Sequence, residues 1–175
     1  MKKEKLQYFI GLGSNLEPEQ NMLNMVEALF TISERVDISE IIRTDPVGLK
    51  SENYFLNTVV RIETIDDQTE LKNKLNIIEG NLGRDRSNPS RKYKDRTADL
   101  DILFSLQLEE TYVDKTLFDK EGTYTVNPLL TLIKYLNYKA NETLVKDHFS
   151  RIQLNYNGIT IGKTPVRLNQ QIISK

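Results

Sequence analysis

The pattern of apolar and polar positions divides the first 104 residues into strand-like and helix-like segments. Residues 6–12 are apolar almost throughout, which predicts a strand buried on both faces and ended by Gly13-Ser14-Asn15. Apolar side chains recur at helical spacing over residues 17–34, and this spacing predicts an amphipathic helix. Residues 36–43 and 54–63 have the composition of two further strands.

A second helix is predicted before the next apolar run. Asp66 or Asp67 can cap its first turn, and its apolar stripe ends at Gly83, a residue type that favours helix ends. A last strand runs from Asp99 to Phe104. The order strand, helix, strand, strand, helix, strand predicts an α+β fold with a ferredoxin-like βαββαβ core, in which the helices cover one face of an antiparallel sheet.

The last third of the chain adds a helix and a hairpin to this core. Apolar residues after Pro128 predict a short helix that begins at that proline. Residues 154–161 flank Asn157-Gly158, a dipeptide typical of two-residue hairpin turns. His148 is the only histidine, and no pattern of metal ligands or nucleophiles accompanies it, so we expect it at the surface.

The composition limits the classes of protein to which the chain can belong. Its 175 residues suit a single domain over 1–175, and without cysteine it can form neither a disulfide nor a cysteine zinc site. The formal net charge of −1 argues against a dedicated nucleic-acid binder, which would gain from a strong positive field. We find no membrane-spanning apolar run and no signal peptide, and we therefore expect a cytoplasmic protein.

Positive charge is concentrated in one loop between the second helix and the last strand. Six cationic side chains occur within thirteen residues, namely Arg84, Arg86, Arg91, Lys92, Lys94 and Arg96. Arginine forks match phosphate oxygens in pairs, and lysines add point charges. The loop therefore predicts a site that handles phosphate groups.

Two carboxylates follow this loop directly. Asp99 and Asp101 alternate with Leu100 along the predicted strand, so both face the same side, about 7 Å apart. Like charges so placed favour a cation between them, and Mg²⁺ shared with substrate phosphates suits such oxygen ligands. An Asp-x-Asp pair alone is common on solvated strands, but its position beside the basic loop favours nucleotide or polyphosphate chemistry.

Four motifs in order make the chain similar to a known family of enzymes. They are Ile10 to Leu16, Arg43 to Gly48 running on to Asn57, Glu79 to Arg84, and Arg96 to Phe104. Over residues 6–104 the chain resembles the 6-hydroxymethyl-7,8-dihydropterin pyrophosphokinases. These enzymes transfer the β,γ-pyrophosphoryl group of ATP to a pterin hydroxymethyl group in folate biosynthesis, and their fold is a layered α+β arrangement. The resemblance implies the same activity here, with ATP and a pterin as substrates.

The resemblance also implies roles for individual residues. Asp99 and Asp101 would hold two Mg²⁺ ions, and Arg84 and Arg96 would stabilise charge on the transferred group. Further ATP contacts are implied at Glu79, Arg86, Lys92, Tyr93 and Ile102. The pterin would stack between two aromatic rings. Contacts to it are implied at Thr44, Pro46, Val47, Phe55, Asn57 and Tyr124.

Pattern alone leaves two of these residues with alternative roles. Asn57 lies on a strand face that leans toward the core, where it either bonds the backbone of the neighbouring loop or reads the edge of a ligand. Glu79 is either a helix-surface residue paired with Arg86 or Lys74, or a partner of the ATP ribose.

The chain departs from the family pattern in two places. Tyr93-Lys94-Asp95-Arg96 stands where Trp-x-Pro-Arg is common, and residues 111–127 lack the usual histidine and arginine pattern. A related phosphoryl, pyrophosphoryl or nucleotidyl transferase with another acceptor is therefore an alternative. A non-catalytic RNA or nucleotide binder is a second alternative, although neither central strand has the aromatic pattern of RNA-recognition folds.

Overall fold

The computed structural model describes residues 3–46, 51–85, 95–142 and 149–170. Several residues singled out from the sequence lie outside these ranges, namely Val47, Arg86, Arg91, Lys92, Tyr93, Lys94 and His148. None of the described helices is long and apolar enough to cross a lipid bilayer.

The predicted ferredoxin-like core is confirmed. Its elements in chain order are β1 Leu6–Ser14, α1 Pro18–Leu29, β2 Arg35–Ile38, β3 Ile42–Thr44, β4 Phe55–Thr64, α2 Gln68–Asn81 and β5 Asp99–Gln107. The main strands lie in the order β2-β4-β1-β5, and each neighbouring pair is antiparallel. Each of these two helices therefore connects strands that have a third strand between them, which is the arrangement of a split βαβ unit.

The segment predicted as one strand over residues 36–43 forms two strands. Between β2 and β3 the pairing with β4 shifts by one residue. The buried Ser39 lies in this break, where its N–H donates to the carbonyl of Val59 and its hydroxyl accepts from the N–H of Val59, both at 2.9 Å. These bonds satisfy polar groups that the irregularity removes from the ladder. The step brings Thr44, at the end of β3, opposite Phe55.

The two helices of the core start as the sequence predicts. Asp67 caps α2, because its side chain accepts from the N–H groups of Thr69 and Glu70 while Glu70 bonds back to the N–H of Asp67. Helix α1 ends at Leu29, earlier than predicted. After Leu29 the chain continues in tight turns, in which the N–H of Thr31 donates to a carbonyl three residues back at 3.1 Å.

Two apolar clusters occupy opposite faces of the sheet. Helices α1 and α2 cover one face, into which β1 contributes Tyr8, Ile10 and Leu12. The other face carries helix α3, Thr123–Tyr135, which packs over Phe9. Phe9 stacks on Phe104 with ring centroids 4.6 Å apart, a geometry worth about 0.5–1.5 kcal/mol beyond area burial. The described chain therefore has helices on both faces of the sheet, not on one.

Helix α3 begins at Thr123 and not at Pro128, so the predicted start was wrong. Pro128 lies inside the helix, where it lacks the N–H that an ordinary residue would donate. Tertiary packing outweighs this local cost, because the helix buries apolar residues after the proline and packs the partly buried Val126 before it against the same cluster. The buried residues of α3 are Thr125, Asn127, Pro128, Leu129, Leu130, Leu132 and Ile133.

The rest of the chain extends the sheet beside β2 and β3 and forms two further strand pairs. Its strands are β6 Tyr112–Val113, β7 Lys139–Ala140, β8 Ser150–Arg151, β9 Leu154–Tyr156, β10 Ile159–Ile161 and β11 Val166–Asn169. Strand β11 pairs with β2, and β8 pairs with β3. Strand β6 precedes α3 in the chain and pairs with β7, which follows it. The predicted hairpin is confirmed, since β9 and β10 pair through Asn157 and Gly158, which have φ values of 49 and 86°.

A buried ion network fastens β11 to the sheet. The fully buried Asp37 on β2 accepts from Arg61 at 3.0 Å and from Arg167 on β11 at 2.6 Å. Arg61 also donates from Nε to the side chain of Gln7 at 2.8 Å. Because each buried charge has an opposite partner, the desolvation cost of the group is offset. The network links four neighbouring strands.

The turn that follows β10 depends on one glycine. Gly162 has φ +96°, and a Cβ atom there would lie 2.1 Å from the carbonyl oxygen of Ile152. We expect Gly162→Ala to lower the free energy of unfolding by roughly 2–4 kcal/mol, since strain and a backbone clash add. Gly158 is the control, because its φ is +86° but no atom lies within 4 Å of its Cβ position. Gly158→Ala should cost about 1 kcal/mol in urea unfolding. Equal losses for both variants would contradict the steric argument.

Candidate active site

Two glycines of β1 form the floor of an open cleft on the α3 side of the sheet. In the antiparallel register Gly13 lies between Asn57 of β4 and Asp99 of β5, and Gly11 lies opposite Asp101. A Cβ atom at Gly13 would come within 3.2 Å of Asn57 Oδ1, so a side chain there would fill the space between its neighbours. We predicted that the strand ends before Gly13, but the strand continues through this glycine and carries it into the site.

The cleft has two connected parts. One part, of about 120 Å³, is lined by Gly13, Thr44, Asp45, Phe55, Asn57, Arg96, Asp99 and Tyr124. The other, of about 110 Å³, runs along β5 and includes Gly11, Gly13, Asn57, Asp99, Asp101, Leu103, Glu121, Tyr124 and Thr125. Because Asn57, Asp99 and Tyr124 border both parts, the predicted phosphate-binding and ring-binding residues face one space.

Asp99 lies at the junction of the two parts and is held by two arginines. Nη1 of Arg84 donates to one carboxylate oxygen, and Nη1 of Arg96 donates to the other. Burial alone would raise the pKa of Asp99, but the two guanidinium groups hold that pKa below its usual value. The structure therefore brings together three of the four predicted catalytic residues as an anion between two cations.

Glu79 lies beneath this cluster and is buried, unlike the surface residue of the first alternative. Its side chain has no exposed surface, so it is not a helix-surface residue, and the contact with an ATP ribose stays a prediction. Its Oε1 accepts from Arg84 Nη1 at 3.0 Å and from the N–H of Leu100 at 2.7 Å. Lys74, one of its predicted partners, pairs with Asp66 at 2.7 Å. Glu79 thus joins the end of α2 to the start of β5 and orients Arg84.

The ring-binding part of the cleft is built from β3, β4 and the start of α3. Asn57 Nδ2 donates to Thr44 Oγ1 at 2.8 Å, so this asparagine bonds a neighbouring side chain and not the loop backbone. Among the described residues its Oδ1 accepts no hydrogen bond, which leaves this atom able to accept one from a ligand. Phe55 lies two residues earlier on the same face, with its ring centroid 5.8 Å from Cζ of Arg96.

Three further predicted site residues fall within the described ranges, namely Tyr124, Pro46 and Ile102. Tyr124 borders both parts of the cleft, and Gly122 makes room for it, because a Cβ there would lie 2.4 Å from the tyrosine ring. Pro46 is half-buried in the loop after β3 and is not among the residues that line the cleft. Ile102 packs against the cluster under α1 and α2, on the face of the sheet opposite Asp101.

Most of the chain matches one family of known proteins. Residues 9–134 match the model of the 7,8-dihydro-6-hydroxymethylpterin-pyrophosphokinase family. The chain belongs to this family. It is 39% identical over 158 residues to the 2-amino-4-hydroxy-6-hydroxymethyldihydropteridine pyrophosphokinase of Bacillus subtilis, covering 86% of this chain and 92% of that protein. It is 34% identical over 98 residues to the Haemophilus influenzae protein of the same name, covering 54% and 59% of the two chains.

The match to the pterin pyrophosphokinase family reaches further than the motifs read from the sequence. Those motifs end at Phe104, whereas the matched region continues to residue 134 and so includes Tyr124 and most of α3. The segment 111–127, which departs from the usual pattern, therefore lies inside the matched region. The two sides of the cleft both fall within it.

The second carboxylate, Asp101, is in a different environment from Asp99. It lies on the same face of β5, as predicted, but 64% of its side chain is exposed, and Lys72 Nζ lies 3.0 Å from its Oδ1. No group of three histidine, cysteine, aspartate or glutamate side chains in the described ranges could hold a metal ion. Two carboxylates beside an open cleft nevertheless fit Mg²⁺, which takes its remaining oxygen ligands from phosphates and water.

Sequence reasoning missed Lys72, which contacts Asp101 beside the cleft, and Glu121, which lines it. Lys72 follows Leu71 of the apolar stripe of α2, so it lies at the margin of the helix face that packs on the sheet, and it donates to both Leu100 O and Asp101. Glu121 borders the cleft near Asp101, and burial together with the charge of Asp101 raises the pKa of Glu121. The position of Lys72 beside the stripe was a usable signal, whereas nothing local marked Glu121.

Proposed function

We propose that this chain transfers the pyrophosphoryl group of ATP to the hydroxymethyl group of 6-hydroxymethyl-7,8-dihydropterin and releases AMP. The observation that carries the proposal is the cleft itself, in which the Arg84–Asp99–Arg96 cluster and the Phe55–Asn57 pair share one floor. The names of the relatives and the family match support the same reaction. They favour an enzyme over the alternative of an RNA-binding or nucleotide-binding protein. A cytoplasmic location stays a prediction.

The acceptor side of the proposed site would hold a flat ring. Phe55 and Tyr124 line this part of the cleft, and Asn57 Oδ1, which accepts no hydrogen bond from the described residues, lies at its edge. A base-sized heterocycle stacked on an aromatic face gains about 1–3 kcal/mol per ring. The polar edge of such a ring needs hydrogen-bond partners once it is buried. Asn57 would supply one of them and so would favour a ring with a matching donor.

The phosphate side of the proposed site would use the charged cluster. Asp99 and Asp101 would hold Mg²⁺, with two ions expected from the family, and Arg84 and Arg96 would face the transferred group. When bound, Mg²⁺ would neutralise phosphate charge and lower the pKa of the acceptor hydroxyl. Positioning and charge stabilisation supply most of the rate in phosphoryl transfer. Of the other nucleotide contacts, Ile102 and Glu79 stay proposals, and Glu79 also holds Arg84.

We expect Phe55→Ala, Asn57→Ala and Tyr124→Ala each to weaken pterin binding by about 1–3 kcal/mol. Each change removes a ring face or a polar partner from the acceptor side, so ATP affinity should change little. Calorimetric titration with pterin, in the presence of a non-hydrolysable ATP analogue, measures the effect. Tyr112, an exposed tyrosine on β6, provides the control variant Tyr112→Ala.

The function itself is tested by incubating the unaltered protein with ATP, Mg²⁺ and 6-hydroxymethyl-7,8-dihydropterin. Pterin-dependent formation of AMP is the expected result. Formation of ADP, or AMP release that does not depend on the pterin, would contradict the proposal. If Phe55→Ala and Asn57→Ala bind the pterin as well as the parent protein does, the acceptor site lies elsewhere.

A further inference from the structure

Asp95 connects two separate parts of the chain just before Arg96. Its Oδ1 accepts from Asn15 Nδ2 at 2.6 Å, and its Oδ2 accepts from Asn53 Nδ2 at 2.8 Å. Asn15 follows β1, whereas Asn53 lies just before β4. One carboxylate therefore connects the residue before Arg96 to the end of β1 and to the start of β4.

Asn15 connects Asp95 to the backbone of Arg96. The N–H of Arg96 donates to Asn15 Oδ1 at 2.8 Å, and the N–H of Asn15 donates back to the carbonyl of Arg96 at 3.1 Å. Asn15 is only 2% exposed, so it has little freedom to move independently. The guanidinium of Arg96 then reaches Asp99 in the cleft.

Asn53 connects Asp95 to the segment that leads into β4. The N–H of Asn53 donates to Ser51 Oγ at 3.1 Å, and two residues later Phe55 enters the ring-binding part of the cleft. The hydroxyl of Ser51, followed by the amides of Asn15 and Asn53, holds the pKa of Asp95 below its usual value. A carboxylate with no proton can only accept hydrogen bonds, which matches the donors around it.

We propose that Asp95 is a positioning residue that couples the segment leading into Phe55 to the placement of Arg96. The proposal rests on the proposed function, because it assigns Arg96 to the transferred group and Phe55 to the acceptor. Asp95 does not line the cleft and so acts only through its neighbours. Through it, the acceptor side and the phosphate side of the cleft are held in one relative position.

The first test needs no substrate. Amide hydrogen exchange is measured at Arg96 in the unaltered protein, in Asn53→Ala and in Glu52→Ala. Asn53 and Glu52 are both exposed neighbours in one segment, but the side chain of Glu52 makes no hydrogen bond or ion pair with the described residues. We expect Asn53→Ala to speed exchange at Arg96 by about two- to tenfold, the effect of losing one hydrogen bond, and Glu52→Ala to leave it unchanged.

The second test measures turnover. We expect Asp95→Ala to lower kcat by roughly ten- to a hundredfold while KM for ATP changes by less than about threefold, because orientation is lost and not ground-state binding. If Asn53 acts through Asp95, the double variant will be no slower than Asp95→Ala. A residue with a purely structural role would lower the melting temperature without this split between kcat and KM.

Two results would overturn the coupling. One is exchange at Arg96 that stays at the parent rate in Asn53→Ala, and the other is a double variant whose losses multiply. If the unaltered protein forms no AMP, the proposed function fails, and the exchange measurement still decides whether Asp95 couples the two segments.

Discussion

Asp101→Asn is expected to lower Mg²⁺-dependent AMP formation by roughly a hundred- to a thousandfold, because a neutral amide cannot replace a carboxylate that holds the metal. The fold should persist, since Asp101 is 64% exposed and its contact with Lys72 is a surface ion pair. Asp99 is a less clean target. Its removal would leave Arg84 and Arg96 without their shared anion, so stability and activity would fall together.

The measurement for Asp101→Asn is AMP formation across a range of Mg²⁺ concentrations, with thermal unfolding of the same sample. Asp119→Asn is the control, because Asp119 is exposed and lies outside the cleft. Removal of Mg²⁺ by a chelator should abolish activity of the parent protein, and added Mg²⁺ should restore it. Parent-like turnover in Asp101→Asn at low Mg²⁺ would show that this carboxylate does not hold the metal.

Arg96→Ala and Arg84→Ala are expected to lower turnover by about 10²–10³-fold, with a much smaller change in KM for ATP. Both guanidinium groups already point at Asp99, and their contacts to the transferred group should strengthen as charge develops in the transition state. Arg84→Ala should also cost about 1–3 kcal/mol of stability, because it removes a partner of the buried Glu79.

The control for the arginines is Arg151→Ala, which removes an exposed arginine paired with Glu40 at 2.8 Å on β8. It should leave both turnover and KM unchanged. Steady-state kinetics and direct ATP titration separate the two effects for each variant. If Arg96→Ala mainly weakens ATP binding and leaves turnover intact, Arg96 is a ground-state binding residue and not a stabiliser of the transition state.

Local patterns in the sequence were enough to predict the core and the shared strand face of Asp99 and Asp101. The capping box at Asp67, the hairpin at Asn157-Gly158 and the common face of Asp99 and Asp101 each depend on residues close together in the chain. Helical and strand periodicity act over the same short range, so they appear directly in the order of residues. The βαββαβ order followed from them.

The tertiary structure alone decided which distant segments support the side chains of the cleft. Asn15 and Asp95 are 80 residues apart, and the burial of Glu79 under Arg84 depends on how α2 packs against β5. Helix α3 includes Pro128 because a face of the sheet is available for it to cover. Such contacts arise from the packing of distant segments, and a local pattern of residue types does not record which segments will be neighbours.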